Sequence, residues 1–197
     1  MCSLVAYRDI LGVWGPTAPL PVAGRVQPAF PELFRTGDAA ADVGVLSAVI
    51  GRDVATALRA GQAPLMVGGN CVHLTGQLSG LQAAYGPAAR IGMVFVDAHG
   101  DINTPATSLS NSLGGMPVAV ALGLAWPEWR RRSGMQRPLA ADQVIILDGR
   151  DLDPGEVATI RTLDVTMASG PGFPGGTDDF AGQFEGDSRI WMRSSMR

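Results

Sequence analysis

The sequence predicts an α/β fold built on a parallel sheet, and three observations carry the prediction. Residues 64–67 (Pro-Leu-Met-Val) and 91–96 (Ile-Gly-Met-Val-Phe-Val) are short apolar runs without the alternation of a half-exposed strand, so each reads as a buried strand. Each run is followed at once by residues suited to a close turn or a ligand, in Gly68-Gly69-Asn70-Cys71 and in Asp97-Ala98-His99-Gly100-Asp101. Residues 75–84, lying between, can form a helix that crosses back over the sheet, which makes the two strands parallel neighbours with both loops on one edge. That carboxyl edge is where α/β sheets bind ligands.

Taken in order, residues 5–12 read as a first strand and residues 15–30, rich in proline and glycine, as a loop. The clearest helix spans residues 41–60, where Val45, Leu46, Val49, Ile50, Val54 and Leu58 recur at helical spacing and Asp38 or Asp42 can cap the start. Residues 117–124 read as a helix and residues 143–147 as another buried strand. Trp126, Trp129 and Arg130, Arg131 and Arg132 make a basic aromatic patch, read as a solvated loop edge or a subunit contact. Residues 162–169 read as a passage from helix to strand. From residue 170 the chain is breaker-rich, Gly170-Pro171-Gly172-Phe173-Pro174-Gly175-Gly176, without an apolar period. The expected division is therefore an α/β domain over 1–169 and an irregular Gly-rich tail over 170–197.

Composition narrows the function classes. With 197 residues and 46% hydrophobic content the chain can bury the core of one α/β domain. A net charge of −3 and a pI near 5.3 exclude a nucleic-acid surface. Two cysteines, Cys2 and Cys71, make no disulfide framework and suit a reducing compartment. No run is long enough to span a membrane, and Met1-Cys2-Ser3-Leu4-Val5 has no basic segment of a signal peptide, so a cytoplasmic protein is expected.

The chemistry concentrates after the two central strands. Asp97, His99 and Asp101 place two carboxylates and an imidazole two residues apart, and carboxylates this close repel unless a cation lies between them. Their donors suit Mn²⁺, Zn²⁺ or Fe²⁺. With Cys71 from the neighbouring loop they form a candidate metal constellation. An exposed turn, with Asp101 as a helix cap, accounts for the same three residues without a metal, and Cys71 can equally be a small buried hydrophobe.

Three segments carry a family resemblance: Gly68-Gly69-Asn70-Cys71, then Asp97-Ala98-His99-Gly100-Asp101-Ile102-Asn103-Thr104-Pro105, then Arg150-Asp151-Leu152-Asp153-Pro154-Gly155-Glu156. In order and spacing they resemble the signatures of the ureohydrolases, the arginase and agmatinase family, over about residues 64–169. The resemblance implies a three-layer αβα fold with a parallel sheet, arginase-like and incomplete on its C-terminal side. It also implies hydrolysis of a guanidino group at a pair of Mn²⁺ ions. Asp97 would bridge both ions, Cys71 and Asp101 would complete one, and His99 would hold the other, with Asp97 and Asp101 as the catalytic carboxylates. Such a reaction needs a hydroxide made at neutral pH by metal coordination, because a guanidinium carbon is a poor electrophile. Asn103, Ser110 and Ser112 offer neutral donors for the α-carboxylate of an amino acid, and Asp153 and Glu156 offer charge for its α-amino group, at positions the resemblance assigns to substrate. Asp-Pro-Gly-Glu is also a good turn and helix start in its own right.

The chain departs from the family pattern in three places. Arginases have His where Cys71 stands and Asp where Asn70 stands, and a thiolate shifts preference toward softer metals; His73, two residues on, points elsewhere. Gly114 occupies the place of a proton-relaying His, a pattern similar to the branch that acts on N-hydroxyarginine, whose hydroxylated guanidine is less basic. The later signature Ser-x-Asp-x-Asp-x-x-Asp-Pro is absent, and adjacent Asp178 and Asp179 would point to opposite faces of a strand. Two function classes follow. One is a metal-dependent amidinohydrolase converting arginine or N-hydroxyarginine to ornithine plus urea or hydroxyurea, with a small guanidino amino acid as partner and a homo-oligomeric assembly. The other is a truncated, inactive ureohydrolase remnant or binding protein.

Overall fold

The computed structural model describes residues 36–67 and 70–168, together with the backbone of two N-terminal strands. Those strands are β1 (Cys2–Tyr7) and β2 (Val26–Ala29). The expected tail over 170–197 lies outside the described residues, as do Gly68 and Gly69.

Helix α1 (Ala39–Arg59) starts where Asp38 accepts a hydrogen bond from the Ala41 N–H at 3.1 Å. Asp42 braces the same turn from inside, accepting from the Thr36 hydroxyl at 2.7 Å. One face of α1 buries Leu46, Ile50 and Val54, whereas Val45, expected on that face, is 39% exposed. Helix α2 (Leu74–Tyr85) packs against α1 at a separation that only glycine permits. A Cβ on Gly76 would stand 2.7 Å from Ile50 Cβ, and one on Gly80 2.5 Å from Val54 Cβ.

Among the described residues six strands form two all-parallel, three-stranded sheets, in the orders β2-β1-β3 and β4-β5-β6. Strand β3 (Ala63–Val67) pairs with β1 from Cys2↔Ala63 to Ala6↔Val67, and β4 (Met93–Asp97) pairs with β5 (Val144–Asp148) from Met93↔Val144 to Asp97↔Asp148. The two central runs are therefore not the parallel neighbours expected from the sequence. The crossover through α2 joins one sheet to the other, with β3 paired to β1 and β4 to β5. Nor is β4 buried on both faces, since Val94 and Val96 are 55% and 61% exposed. The expected first strand sits earlier, ending at Tyr7, and the expected 15–30 loop contains β2. Pro28 can occupy β2 because that strand pairs with β1 alone and so lies on an edge.

The second sheet carries the main core, in which Leu78, Ile102, Val118, Met135, Val144, Ile146 and Ile160 pack together. Helix α3 (Pro117–Ala121) is shorter than the expected 117–124 because Gly123, at φ +77°, turns the chain. Helix α4 (Pro127–Arg132) carries the basic aromatic patch, which corrects the reading of it as a solvated loop edge. Trp129 is fully buried, and its indole N–H donates to Thr75 Oγ1 at 3.0 Å, which donates to Ser47 Oγ at 3.0 Å. Arg131 and Arg132 both reach Glu128 at 2.6 Å on the exposed side. Helix α5 (Pro154–Leu163) ends at Asp164 in the left-handed conformation and leads into β6 (Thr166–Ala168). Among the described residues no helix is long and apolar enough to cross a membrane.

Candidate metal centre

Asp97 is the last residue of β4, so pairing with β5 fixes where its carboxylate leaves the sheet. Its Oδ2 lies 3.8 Å from the Cys71 thiol, and its Oδ1 accepts the His99 N–H at 2.9 Å and stands 3.1 Å from His99 Nδ1. The two oxygens of one carboxylate thus face two different donors. Cys71 opens a short 3₁₀ turn (Cys71–His73) capped by Asn70, whose side chain accepts from the Val72 N–H at 3.2 Å. Asp101 is held at φ +47°, and its carbonyl accepts the N–H groups of Val118 at 2.9 Å and Ala119 at 3.3 Å, tying it to the start of α3.

Ligand atoms of Cys71, Asp97 and Asp101 all lie within 4.8 Å of one another. Asp101 is only 4% exposed, and its Oδ2 has no hydrogen-bond partner. A buried carboxylate oxygen left unpaired between a thiol and a second carboxylate is an arrangement that a cation completes. His99 stands outside this cluster, on the other oxygen of Asp97, with Nε2 at 3.6 Å from Asp151 Oδ2. The residues present therefore fit a divalent ion held by Cys71, Asp97 and Asp101, with Asp97 and His99 offering two further donors side by side.

Burial, with the charges of Asp97 and Glu156, pushes the Asp101 carboxyl up to about 7 against the opposing effect of the Cys71 thiol. Burial, then the carboxylates of Asp101 and Asp97, pushes the Cys71 thiol up to about 12. In metal-free protein the folded state holds the Asp101 proton between its ordinary value of 3.8 and about 7, where the unfolded chain has released it. The stability that Asp101 contributes is full below the lower value and is lost as pH rises through the upper one. Chelator-treated protein is accordingly expected to lose stability between about pH 4 and about pH 7 by a margin that Asp101→Asn removes. Melting curves of both proteins check this, and parallel pH profiles would show that Asp101 does not titrate there.

These groups open onto a cavity of about 480 Å³. Of the residues singled out from the sequence, Cys71, Asp97, His99, Asp101, Asn103, Ser110, Asp153 and Glu156 all line it. Ser112 does not: its hydroxyl accepts the Gly114 N–H at 3.2 Å and caps a 3₁₀ turn (Leu113–Gly115). Asn103 Nδ2 donates to Asp153 Oδ2 at 2.8 Å. Sequence reasoning missed Thr107, whose hydroxyl donates to Asn103 Oδ1 at 2.9 Å and so turns the amide nitrogen toward Asp153. It also missed Asp151, exposed beside His99, which stood in the quoted third motif but was given no role. Gly114 faces Asn70, and a Cβ there would lie 3.3 Å from Asn70 Oδ1.

The Arginase family model matches residues 26–171. The arginase of Bacillus caldovelox is 35% identical over 107 residues, covering 54% of this chain and 35% of that protein. The hepatic arginase of Aquarana catesbeiana is 32% identical over 148 residues, covering 71% of this chain and 45% of the relative. Among solved structures, arginase from Bacillus cereus superposes with a TM-score of 0.61 at 29% identity, covering 66% of this chain and 44% of that one. Arginase from Bacillus subtilis, at 24% identity, shares the fold with a TM-score of 0.71 over 85% of this chain and 63% of that one. The chain spans roughly a third of the length of the first curated relatives it matches. The match over residues 26–171 takes in β3, β4, β5 and α5 together with the loops that converge on the cavity, and on that ground the chain belongs to the arginase family of ureohydrolases.

Proposed function

We propose that the chain is a metal-dependent amidinohydrolase that takes the guanidino group of arginine or N-hydroxyarginine and yields ornithine plus urea or hydroxyurea. The observation that carries this reading is the convergence, in one cavity, of a donor set for divalent ions and a polar cradle for an amino acid. Cys71, Asp97 and Asp101 would hold one ion, and Asp97 with His99 would hold the second, where the family resemblance implies Mn²⁺. Bound there, the ions supply a hydroxide at neutral pH and polarise the guanidino group. The unpartnered Oδ2 of Asp101 would be the oxygen that meets the ion, which keeps this carboxylate at the reacting end of the cavity. Asn103 and Asp153, tied to each other and braced by Thr107, present fixed polar atoms to the amino-acid head, and Ser110 adds a hydroxyl at the rim. Fixing these groups in advance lowers the entropy cost of aligning the substrate.

Gly114 offers no imidazole to protonate the departing ornithine amine, which is the same for both substrates, so the preference falls on the guanidine itself: N-hydroxylation lowers its basicity and leaves more of it neutral and open to attack. The expected order of kcat/KM is N-hydroxyarginine above arginine, with agmatine not turned over. Assay of the three with Mn²⁺-loaded protein tests it, and a preference for agmatine would refute the assigned cradle. A second reading, a binding protein that keeps the fold without turnover, is favoured by the second ion having only Asp97 and His99 as described donors. It predicts one equivalent of bound metal or none and no urea. The chain is further read as lacking a nucleic-acid partner, on its acidic charge, as cytoplasmic, on two cysteines that make no disulfide framework, and as a homo-oligomer.

A further inference from the structure

We propose that Cys71 turns the half of this centre shared with Asp97 and Asp101 into a thiolate–dicarboxylate site that selects Zn²⁺ over Mn²⁺. The inference rests on the reading that metal is held here and adds which ion is preferred and why. The thiol is half-buried and lines the cavity, and its nearest recorded polar contact is a carboxylate oxygen, so it is not spent as core packing. The independent sign of a ligand is Asp101, 4% exposed, with Oδ2 unpaired in the space the thiol faces.

All three donors are fixed before any ion arrives. Cys71 is set by the Asn70-capped turn, Asp97 by the β4–β5 ladder, and Asp101 by the two N–H groups of α3 on its carbonyl. One sulfur and two oxygens from a preset cluster, with the cavity open on the remaining side, match a four-coordinate Zn²⁺ with three protein ligands and an open position. Mn²⁺ stands at the weak end of the divalent order and prefers oxygen, whereas a soft sulfur donor widens the gap in favour of Zn²⁺. On binding, the thiol S–H bond breaks, a metal–sulfur bond forms, and the proton passes to solvent. One proton is released per ion by Cys71.

The test uses the full chain, stripped with chelator and dialysed against limiting, equimolar Zn²⁺ and Mn²⁺. Metal analysis is expected to show Zn²⁺ bound in at least about tenfold excess, and Cys71→His to move the balance toward Mn²⁺. Co²⁺, titrated separately, reports the bond itself. The wild type should develop a sulfur-to-metal charge-transfer band that Cys71→Ser and Cys71→His lack while still binding Co²⁺ and melting as cooperatively as the parent. Equal uptake of Mn²⁺ and Zn²⁺, or Co²⁺ bound without the band, would overturn the thiolate site while leaving a metal centre standing. A band that persists in both variants would place the sulfur elsewhere, and failure to bind any of the three ions would overturn the metal centre and this proposal together.

Discussion

Replacing Asp97 with alanine is expected to abolish divalent-metal binding and, with it, any guanidino hydrolysis. Its two oxygens face opposite ways, Oδ2 toward the Cys71 thiol at 3.8 Å and Oδ1 toward His99 Nδ1 at 3.1 Å. No other side chain in the cavity has both recorded contacts. Loss of Asp97 therefore removes one donor from each proposed ion position at once, whereas a change at Cys71 touches a single position. Cys71→His should retain or improve Mn²⁺ binding, because it exchanges a sulfur donor for an imidazole nitrogen. The fold should survive the Asp97 change. The side chain is 27% exposed, its one backbone partner is the His99 N–H, and the Asp97 carbonyl still accepts Gly149 N–H at 2.9 Å. The stability loss is then on the order of one hydrogen bond, about 1 kcal/mol. Equilibrium dialysis with Mn²⁺ and a melting curve read the two effects separately, and a variant that bound as much Mn²⁺ as the parent would show the ions to sit elsewhere.

The site was more legible in the sequence than the sheet around it, for a physical reason. Asp97, His99 and Asp101 lie within five consecutive residues, so a strand end followed by a tight turn suffices to bring them together. Asp153 and Glu156 announce themselves in the same local way, as the cap and third residue of a Pro-started helix. Strand order is not local. Nothing in residues 63–97 records that β3 pairs with β1 and β4 with β5, since a crossover helix of the length of α2 serves adjacent and separated strands equally well.

Side-chain direction was the other blind spot. Trp129 sits among three arginines in a six-residue helix, too short to display a period, so its burial against Thr75 was masked by the charge around it. Ser110 and Ser112 differ by two positions and looked equivalent. Both hydroxyls accept a backbone N–H at 3.2 Å, Ser110 from Ser112 and Ser112 from Gly114, yet only Ser110 lines the cavity, a difference of chain direction that the residue type does not carry. Thr107 had no signal because its role depends on which way the Asn103 amide is turned.

Glu156→Ala is expected to cost about 3 kcal/mol of stability, more than a residue whose only task is to meet substrate would cost. The sequence offers Glu156 as charge for an α-amino group, and it does line the cavity, yet both of its oxygens are engaged by the chain. Oε1 accepts the buried Ile102 N–H at 3.2 Å, and Oε2 accepts the Asp153 N–H at 3.0 Å. The side chain therefore ties the turn after Asp101 to the start of α5 and fixes the spacing between the metal-ligating loop and the substrate cradle. Space there is tight, since a Cβ on Gly100 would stand 3.1 Å from Oε1 and Glu156 is 2% exposed. Truncation leaves two backbone donors facing a void, at roughly 1–3 kcal/mol for each donor stranded out of water. For a chain of this size that loss corresponds to a fall in Tm of about 6–12 °C. Glu156→Gln fills the same volume and keeps one acceptor, so it should cost roughly half as much. Thermal melts of metal-free protein isolate this effect from ligand binding. If Glu156→Ala melted with the parent and lost only substrate affinity, the carboxylate would be a substrate group whose backbone contacts carry no weight, and the two loops would be held in register by the Asn103–Asp153 bond and by the Asp151 N–H donating to the Ala98 carbonyl at 2.8 Å.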